Sequence, residues 1–148
     1  MNEIRRNEAK EFLNSVRLYD TQINNKLEEI HALKTMLTKI TTTLKEDAGS
    51  GSGGNSDKIG NAVAKLVDIE NALNADIDAF LIAKDRVNAL INQINDPVQL
   101  RVLHLRYFEY RRWEAIADEL HMVKRNVQYI HGRALQTVNK LMKEEQHE

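Results

Sequence analysis

Hydrophobic residues recur at every seventh position along most of the chain before Pro97. One column comprises Ala9, Val16, Ile23, Ile30, Leu37 and Leu44, and a second comprises Ile59, Leu66, Leu73, Phe80, Val87 and Ile94. A seven-residue repeat places its apolar side chains on one stripe of an α-helix, where a partner helix covers them. The pattern therefore predicts two amphipathic helices, over about residues 3–46 and 56–95.

A segment rich in Gly and Ser, DAGSGSGGNSD, separates the two columns. Because Gly and Ser disfavour a helix, we predict a linker over residues 47–55. A phosphate-binding loop is not expected there, since no Lys-Ser or Lys-Thr pair follows the glycines. Folding back at the linker pairs the columns layer by layer, from Leu44 opposite Ile59 to Ala9 opposite Ile94. The sequence thus predicts a long antiparallel coiled-coil hairpin as the first domain, residues 1–95.

Each apolar stripe is wider than a two-stranded coiled coil requires. The flanking apolar residues include Phe12, Tyr19, Leu33 and Ile40 in the first segment and Val63, Ile77 and Ile91 in the second. Some of this surface would stay exposed in an isolated hairpin, so a homodimer of hairpins is favoured over coverage by the second half of the chain. Lys26 falls at the core edge and is expected to snorkel or set register, whereas Asp76, Asp78 and Asp85 fit a solvated face.

A second, shorter helical pattern begins at Pro97, and residues 96–148 are predicted to form a separate module. Asp96 is suited to the N-cap and Pro97 to the first position of a third helix, which is expected to run to about Phe108. The stretch IADELHMVKRNVQYIHGRAL then has the apolar spacing of a helix-turn-helix. Its expected packing residues are Ile116, Ala117, Leu120, Met122, Val127 and Ile130.

The outward side of the second helix of this motif carries side chains that can read DNA. The predicted DNA-binding residues are Val123, Lys124, Arg125, Gln128 and Tyr129, with Arg111, Arg112 and Arg133 for the adjoining backbone. Lys and Arg recognise guanine or phosphate, and Gln pairs with adenine. Two positions depart from the usual motif: His121 replaces the Gly of the turn, and Val123 replaces a Ser or Thr cap. His tolerates a left-handed turn better than a β-branched residue does.

Charge and composition narrow the functional classes. Residues 97–133 carry 7 Lys and Arg against 4 Asp and Glu, which favours an anionic partner for this part of the chain. The chain has no Cys, and its His spacings match no metal site, so we expect no metal and no cofactor. The sequence shows no nucleophile paired with a general base, so we do not expect an enzyme. Trp113 is expected to pack beneath its helix, and the absence of any long apolar run predicts a cytoplasmic protein that does not enter a membrane.

The stretch LRYFEYRRWEAIADELHMVKRNVQYIHGRAL resembles region four of bacterial sigma factors, a promoter-binding module. The whole chain is similar to small phage and prophage proteins of Firmicutes that place a helical half with a Gly/Ser-rich break before such a module. The matching segments are DKIGNAVAKLVDIE, RYFEYRRWEAIADEL and the V-x-x-I-H-G-R-A-L ending at Leu135. The resemblance implies an all-α fold and a regulator of late transcription.

Three functions follow from these patterns. The favoured one is a sequence-specific transcription regulator of a phage or prophage, which binds the major groove of double-stranded DNA as a homodimer in the bacterial host. One alternative is a DNA-packaging subunit resembling a small terminase. The other is a protein-binding module that acts on bacterial RNA polymerase.

Overall fold

The computed structural model describes residues 2–46 and 53–147, in which every regular element is an α-helix. The helices are α1 (Asn2–Glu46), α2 (Gly53–Ile91), α3 (Pro97–Tyr107), α4 (Trp113–Leu120) and α5 (Lys124–Gln146). The predicted all-α class and the two long N-terminal helices are confirmed. Residues 47–52 of the predicted linker lie outside the described residues, and its last three residues belong to α2. Among the described helices, none has the length and hydropathy that crossing a membrane requires.

The chain forms two compact units. The larger unit combines Met1–Tyr19 with Phe80–Glu148, and the hairpin unit is the continuous stretch Asp20–Ala79. The larger unit thus takes residues from both ends of the sequence, whereas the hairpin unit takes the middle of α1 and most of α2.

Ion pairs show that α1 and α2 run antiparallel within the hairpin unit. Lys26 pairs with Asp76, and Lys34 Nζ lies 4.0 Å from Glu70 Oε1. Both pairs lie close to the register predicted from the apolar columns, in which Ile30 faces Leu73. A third pair, Lys65 with Glu29 at 3.9 Å, lies further from that register. The helices of this unit therefore form the antiparallel pairing expected from the heptads.

Lys26 and Asp76 form a polar pair at the core edge of the hairpin unit. Their side chains are mostly covered, and the ammonium donates a hydrogen bond to the carboxylate. The expectation that Asp76 lies on a solvated face is wrong, because its side chain is only 21 % exposed and is paired with Lys26. Lys26 stands fifty positions earlier, on the facing helix. A polar pair inside an apolar seam fixes helix register, since any slip leaves a charge without its partner.

The core of the larger unit joins four helices. Its buried residues are Ala9, Leu13, Val16, Val87, Leu90, Ile91, Ile94, Leu103, Tyr107, Ala134, Leu135 and Val138. The predicted layers of Ala9 with Ile94 and of Val16 with Val87 both lie in this cluster. Here α3 and α5 supply the apolar surface that covers the wide stripes of α1 and α2. Coverage by the second half of the chain, the less favoured of the two predicted arrangements, is thus present in the larger unit.

The junction between α2 and α3 follows the predicted capping chemistry. Asp96 accepts hydrogen bonds from the backbone N–H groups of Val98 (2.9 Å) and Gln99 (3.2 Å), and Pro97 occupies the first turn. The predicted N-cap is therefore confirmed. Helix α2 ends at Ile91 rather than near residue 95, because the chain turns at Asn92 and Gln93.

A second core holds α4 against α3 and α5. It buries Val102, Leu105, Ile116, Ala117 and Val127, with Trp113, Leu120, Met122 and Ile130 packed on it. Every apolar position predicted for the helix-turn-helix lies in this core, and so does Trp113. Helix α4 is too short to be stable in isolation, so its packing in this core stabilises it and fixes its position against α3 and α5.

The turn between α4 and α5 contains a histidine whose backbone has the left-handed helical conformation. His121 has φ 54° and ψ 44°, and its N–H donates to the carbonyl of Asp118 at 3.3 Å. The N–H of Met122 donates to the carbonyl of Ala117 at 2.9 Å, which completes a Schellman turn. Val123 then precedes α5 without a side-chain cap. Both departures expected from the sequence, at His121 and Val123, are present.

Candidate nucleic-acid interface

The first two turns of α5 expose one polar face and bury the opposite one. Val127 is fully buried in the second core, and His131 is only 6 % exposed. Helical periodicity then turns Lys124, Arg125, Gln128 and Tyr129 toward solvent, and all four are exposed. Val123 is 70 % exposed and Tyr129 62 % exposed, so both side chains are accessible beside these polar residues. The predicted reading residues therefore share one accessible surface.

Arg133 extends this surface by one turn. Its Nη1 donates a hydrogen bond to Tyr129 Oη at 3.2 Å, and its guanidinium lies 5.9 Å from the tyrosine ring centroid. The two exposed side chains hold each other along the helix face. Arg133 thus presents its charge beside the ring rather than toward the core.

Lys124 has an acidic partner that the sequence analysis missed. Its Nζ lies 2.8 Å from Glu114 Oε1, although both side chains are at least half exposed. The hydrogen bond from Lys124 lowers the pKa of Glu114 below its ordinary value. Glu114 stands in the first turn of α4, ten positions before Lys124. Because the two residues lie on different helices with a turn between them, the periodicity of a single helix could not predict that they pair.

Arg111 is engaged by carboxylates within the protein. Its Nη1 lies 3.0 Å from Glu119 Oε1, and its Nη2 lies 3.1 Å from Glu109 Oε1. Glu119 also pairs with Arg101 at 3.2 Å, so one carboxylate ties α3 and the α3–α4 connection to α4. Arg111 therefore stabilises the placement of α4, and its predicted contact with the DNA backbone stays a prediction.

Three predicted basic residues form no ion pair with a carboxylate of the described residues. Across the described residues, Arg112, Arg125 and Arg133 form no ion pair, and all three are exposed. Arg112 stands at the N-cap of α4, and Arg125 lies in the first turn of α5. An unpaired guanidinium can bind an anion without first breaking an internal pair.

His131 and Tyr107 connect the two cores of the larger unit. The Tyr107 hydroxyl and His131 Nε2 form a hydrogen bond of 2.6 Å, and the Trp113 ring lies 4.6 Å from the imidazole. Burial, with smaller effects from the charges of Lys10 and Arg106, lowers the pKa of His131 to about 4. Burial raises the pKa of Tyr107 to about 12. His131 is thus a buried structural histidine. Among the residues that the structure describes, no group of three or more His, Asp or Glu side chains could hold a metal ion.

Arg106 closes this network on the side of α3. Its guanidinium lies 4.1 Å from the Trp113 ring centroid, and its Nη1 donates to the carbonyl of Arg111 at 2.9 Å. Trp113 therefore packs against both the second core and the Arg106 guanidinium, so its ring is not free to stack on a base.

The sequence alone missed Glu114, Glu119 and Tyr107 as partners of candidate residues. Charge complementarity between the start of α4 and the start of α5 is the available signal for Glu114, because the turn brings those two ends together. The partners of Glu119 and Tyr107 depend on how α3 packs, which no local spacing encodes.

No protein-family model matches the chain, and neither a curated protein nor a solved structure matches it. The resemblance to a sigma-like module therefore stays a prediction.

Proposed function

We propose that this protein is a sequence-specific DNA-binding regulator of phage or prophage transcription, which inserts α5 into the major groove in the bacterial cytoplasm. The observation that carries the proposal is the exposed face of α5. Lys124, Arg125, Gln128 and Tyr129 lie together on that face, while Val127 anchors the helix from behind. A rigidly held helix with exposed Arg, Lys and Gln near its N-terminus suits readout of base edges.

The roles of these residues follow from their chemistry and position. Arg125 and Gln128 are assigned to base edges, since a guanidinium forms paired hydrogen bonds to guanine and an amide does so to adenine. Arg112 and Arg133 are assigned to phosphates on either side, because they are exposed and, among the described residues, form no ion pair. Val123 and Tyr129 contribute apolar contacts, such as those to a thymine methyl group.

Dimerisation is the second part of the proposal. Two columns with a seven-residue spacing lie on the hairpin unit. The column on α1 contains Leu27 and Lys34, and the column on α2 contains Val63, Glu70 and Ile77. Because Lys34 contacts Glu70, these two columns form one side of the hairpin unit, which we call the apolar flank. Its apolar members, with the adjacent Val67, remain 36–49 % exposed. The same flank of a second copy would cover them and bring two α5 helices to paired half-sites.

Replacing Ile77 on the apolar flank by Glu is expected to convert a dimer into a monomer. The change places a charge among the exposed apolar residues of the flank, so a second copy would have to bury it. Sedimentation equilibrium should give twice the 17.0 kDa chain mass for the wild type and one chain mass for Ile77→Glu. Ile82→Glu is the matched control, because Ile82 is exposed on the same helix but outside the flank. Equal masses for wild type and Ile77→Glu would remove the dimer from the proposal.

Arg125→Ala is expected to abolish selection of a discrete DNA site. The purified protein is offered fragments of its source genome at two salt concentrations, and the bound fragments are sequenced. The substitution should weaken binding to the selected site by about ten- to a hundredfold, the range for a lost bidentate base contact. Lys140→Ala is the matched control, since it removes one exposed positive charge near the far end of α5.

The outcomes separate the proposed function from its alternatives. A selected site beside a promoter supports a regulator, whereas a site beside packaging genes together with a larger ring supports the terminase-like alternative. No enrichment, with all DNA binding lost at moderate salt, would contradict DNA recognition and favour the module that binds RNA polymerase.

A further inference from the structure

Glu114 lies beside the first residue of α5, on the surface that we propose binds DNA. Its carboxylate contacts Nζ of Lys124 at 2.8 Å, and the Glu114 and Lys124 side chains are 63 % and 50 % exposed. The pair bridges the first turn of α4 and the first residue of α5, on the surface assigned to DNA. A carboxylate at this place presents the same kind of acceptor oxygen to Lys124 as a phosphate does.

We propose that Glu114 is a built-in competitor of DNA phosphate, which holds Lys124 until DNA displaces it and thereby lowers the affinity for every duplex. This inference rests on the proposed function and assigns one residue that tunes it. Glu114 acts twice: it occupies the ammonium group of Lys124, and its own charge repels approaching phosphates.

The contrast with the other acidic residues nearby supports a competitive role rather than a structural one. Glu119 is partly buried and joins Arg101 to Arg111, and Glu109 also binds Arg111, so both fix the α3–α4 connection. Glu114 is 63 % exposed and, within the described residues, forms an ion pair with Lys124, while the charge of Arg112 acts on it more weakly. An exposed pair of this kind contributes little to stability, so DNA can open it without disturbing the cores.

The salt dependence of binding carries a specific signature of this competition. A lysine that neutralises a phosphate normally releases condensed counterions and adds about 0.9 to the slope of log affinity against log salt. Lys124 instead exchanges one internal carboxylate for a phosphate, so the wild-type slope lacks part of that contribution. Freeing Lys124 restores it.

Glu114→Gln is the test. Affinity for a mixed-sequence duplex, measured by fluorescence anisotropy at low salt, is expected to rise about two- to fivefold. The slope against salt should steepen by part of the roughly 0.9 that one phosphate contact contributes. Glu145→Gln is the matched control, since it removes one exposed negative charge from the far end of α5 and should change neither quantity by more than a small fraction.

A double-mutant cycle with Lys124→Ala locates the effect. The gain from Glu114→Gln should shrink to the part that comes from repulsion alone when Lys124 is absent, and the slope should no longer steepen. Glu114→Ala repeats the test without an amide that could still hold the lysine. Melting temperatures of all variants, followed by circular dichroism, verify that they fold.

The possible failures are distinguishable. If the wild type binds DNA and Arg125→Ala weakens that binding, while neither Glu114 variant changes affinity or slope, the competitor role is overturned and the proposed function stands. If the wild type binds no DNA at any salt concentration, both are overturned.

Discussion

Lowering the pH from 6.5 to 4 is expected to reduce the free energy of unfolding by about 3 kcal/mol through His131 alone. The ring is 6 % exposed, and burial lowers its pKa from 6.5 to about 4. Between these values the unfolded chain binds a proton that the folded chain excludes, so unfolding is favoured as pH falls. The stabilisation is fully present above pH 6.5, and a shift of this size corresponds to about 1.4 kcal/mol per pKa unit.

Urea unfolding followed by Trp113 fluorescence measures this effect, because Trp113 is the only tryptophan and lies against the imidazole. Carboxylates titrate in the same range, so His131→Gln is compared at each pH. Gln keeps a polar group near the Tyr107 hydroxyl and has no such titration. The wild type should lose about 3 kcal/mol more than the variant over this interval. Parallel losses in both proteins would contradict the assignment.

If His131→Gln folds too poorly to measure, Tyr107→Phe provides a second route. It removes the hydroxyl that pairs with His131 Nε2 but leaves the imidazole in place. Its stability should be lower by about 1 kcal/mol at pH 7, the usual value of one hydrogen bond, while the steep loss below pH 6.5 persists.

Leu13→Ala is expected to destabilise the larger unit by about 3 kcal/mol, although Leu13 is remote in sequence from α4 and α5. Its side chain is fully buried in the cluster that contains Leu103 and Val138. Truncating a buried leucine removes apolar contacts and leaves a cavity that the core fills only partly. The start of α1 should therefore determine the stability reported by Trp113.

The matched control is Leu18→Ala, which makes the same change at an exposed position on the same helix. It should alter the free energy of unfolding by less than about 0.5 kcal/mol. If the Trp113 transition in urea were identical for Leu13→Ala and wild type, α1 would not belong to the cooperative unit that holds α5. Circular dichroism in parallel detects any separate unfolding of the hairpin unit.

Much of the fold could be predicted because its buried positions repeat. Heptad columns predicted the two long helices and their antiparallel pairing, which the pairs of Lys26 with Asp76 and Lys34 with Glu70 confirm. Local capping chemistry predicted Asp96 at the start of α3 and a left-handed turn at His121. In each case the information lies within a few residues or one repeat of the sequence.

The missed features are pairs between distant residues. Tyr107 and His131 lie 24 positions apart, and Lys26 and Asp76 lie 50 apart. Their contact depends on how whole helices pack, so the sequence around either residue does not identify its partner. Asp76 is an example: it was predicted to lie on a solvated helix face, whereas it pairs with Lys26 of the facing helix at the core edge.

The candidate interface divides in the same way. Periodicity along one helix predicted which side chains of α5 are exposed, and the structure places all of them at the surface. Their electrostatic state could not be predicted, because Glu114 and Glu119 belong to α4 and reach Lys124 and Arg111 only after the motif has folded.

The division of the sequence between the two units bears on how the chain can change length in evolution. Asp20–Ala79 is one uninterrupted stretch, and both of its helices follow the heptad repeat. Loss or gain of a heptad from α1, matched by one from α2, keeps every residue of Met1–Tyr19 and Phe80–Glu148 in the same helical phase. A single-residue insertion rotates the heptad positions beyond it by about 100°, so the apolar columns of the two helices in the hairpin unit no longer face each other. Length variants among descendants of this chain should therefore differ by two heptads at a time, taken from the hairpin unit.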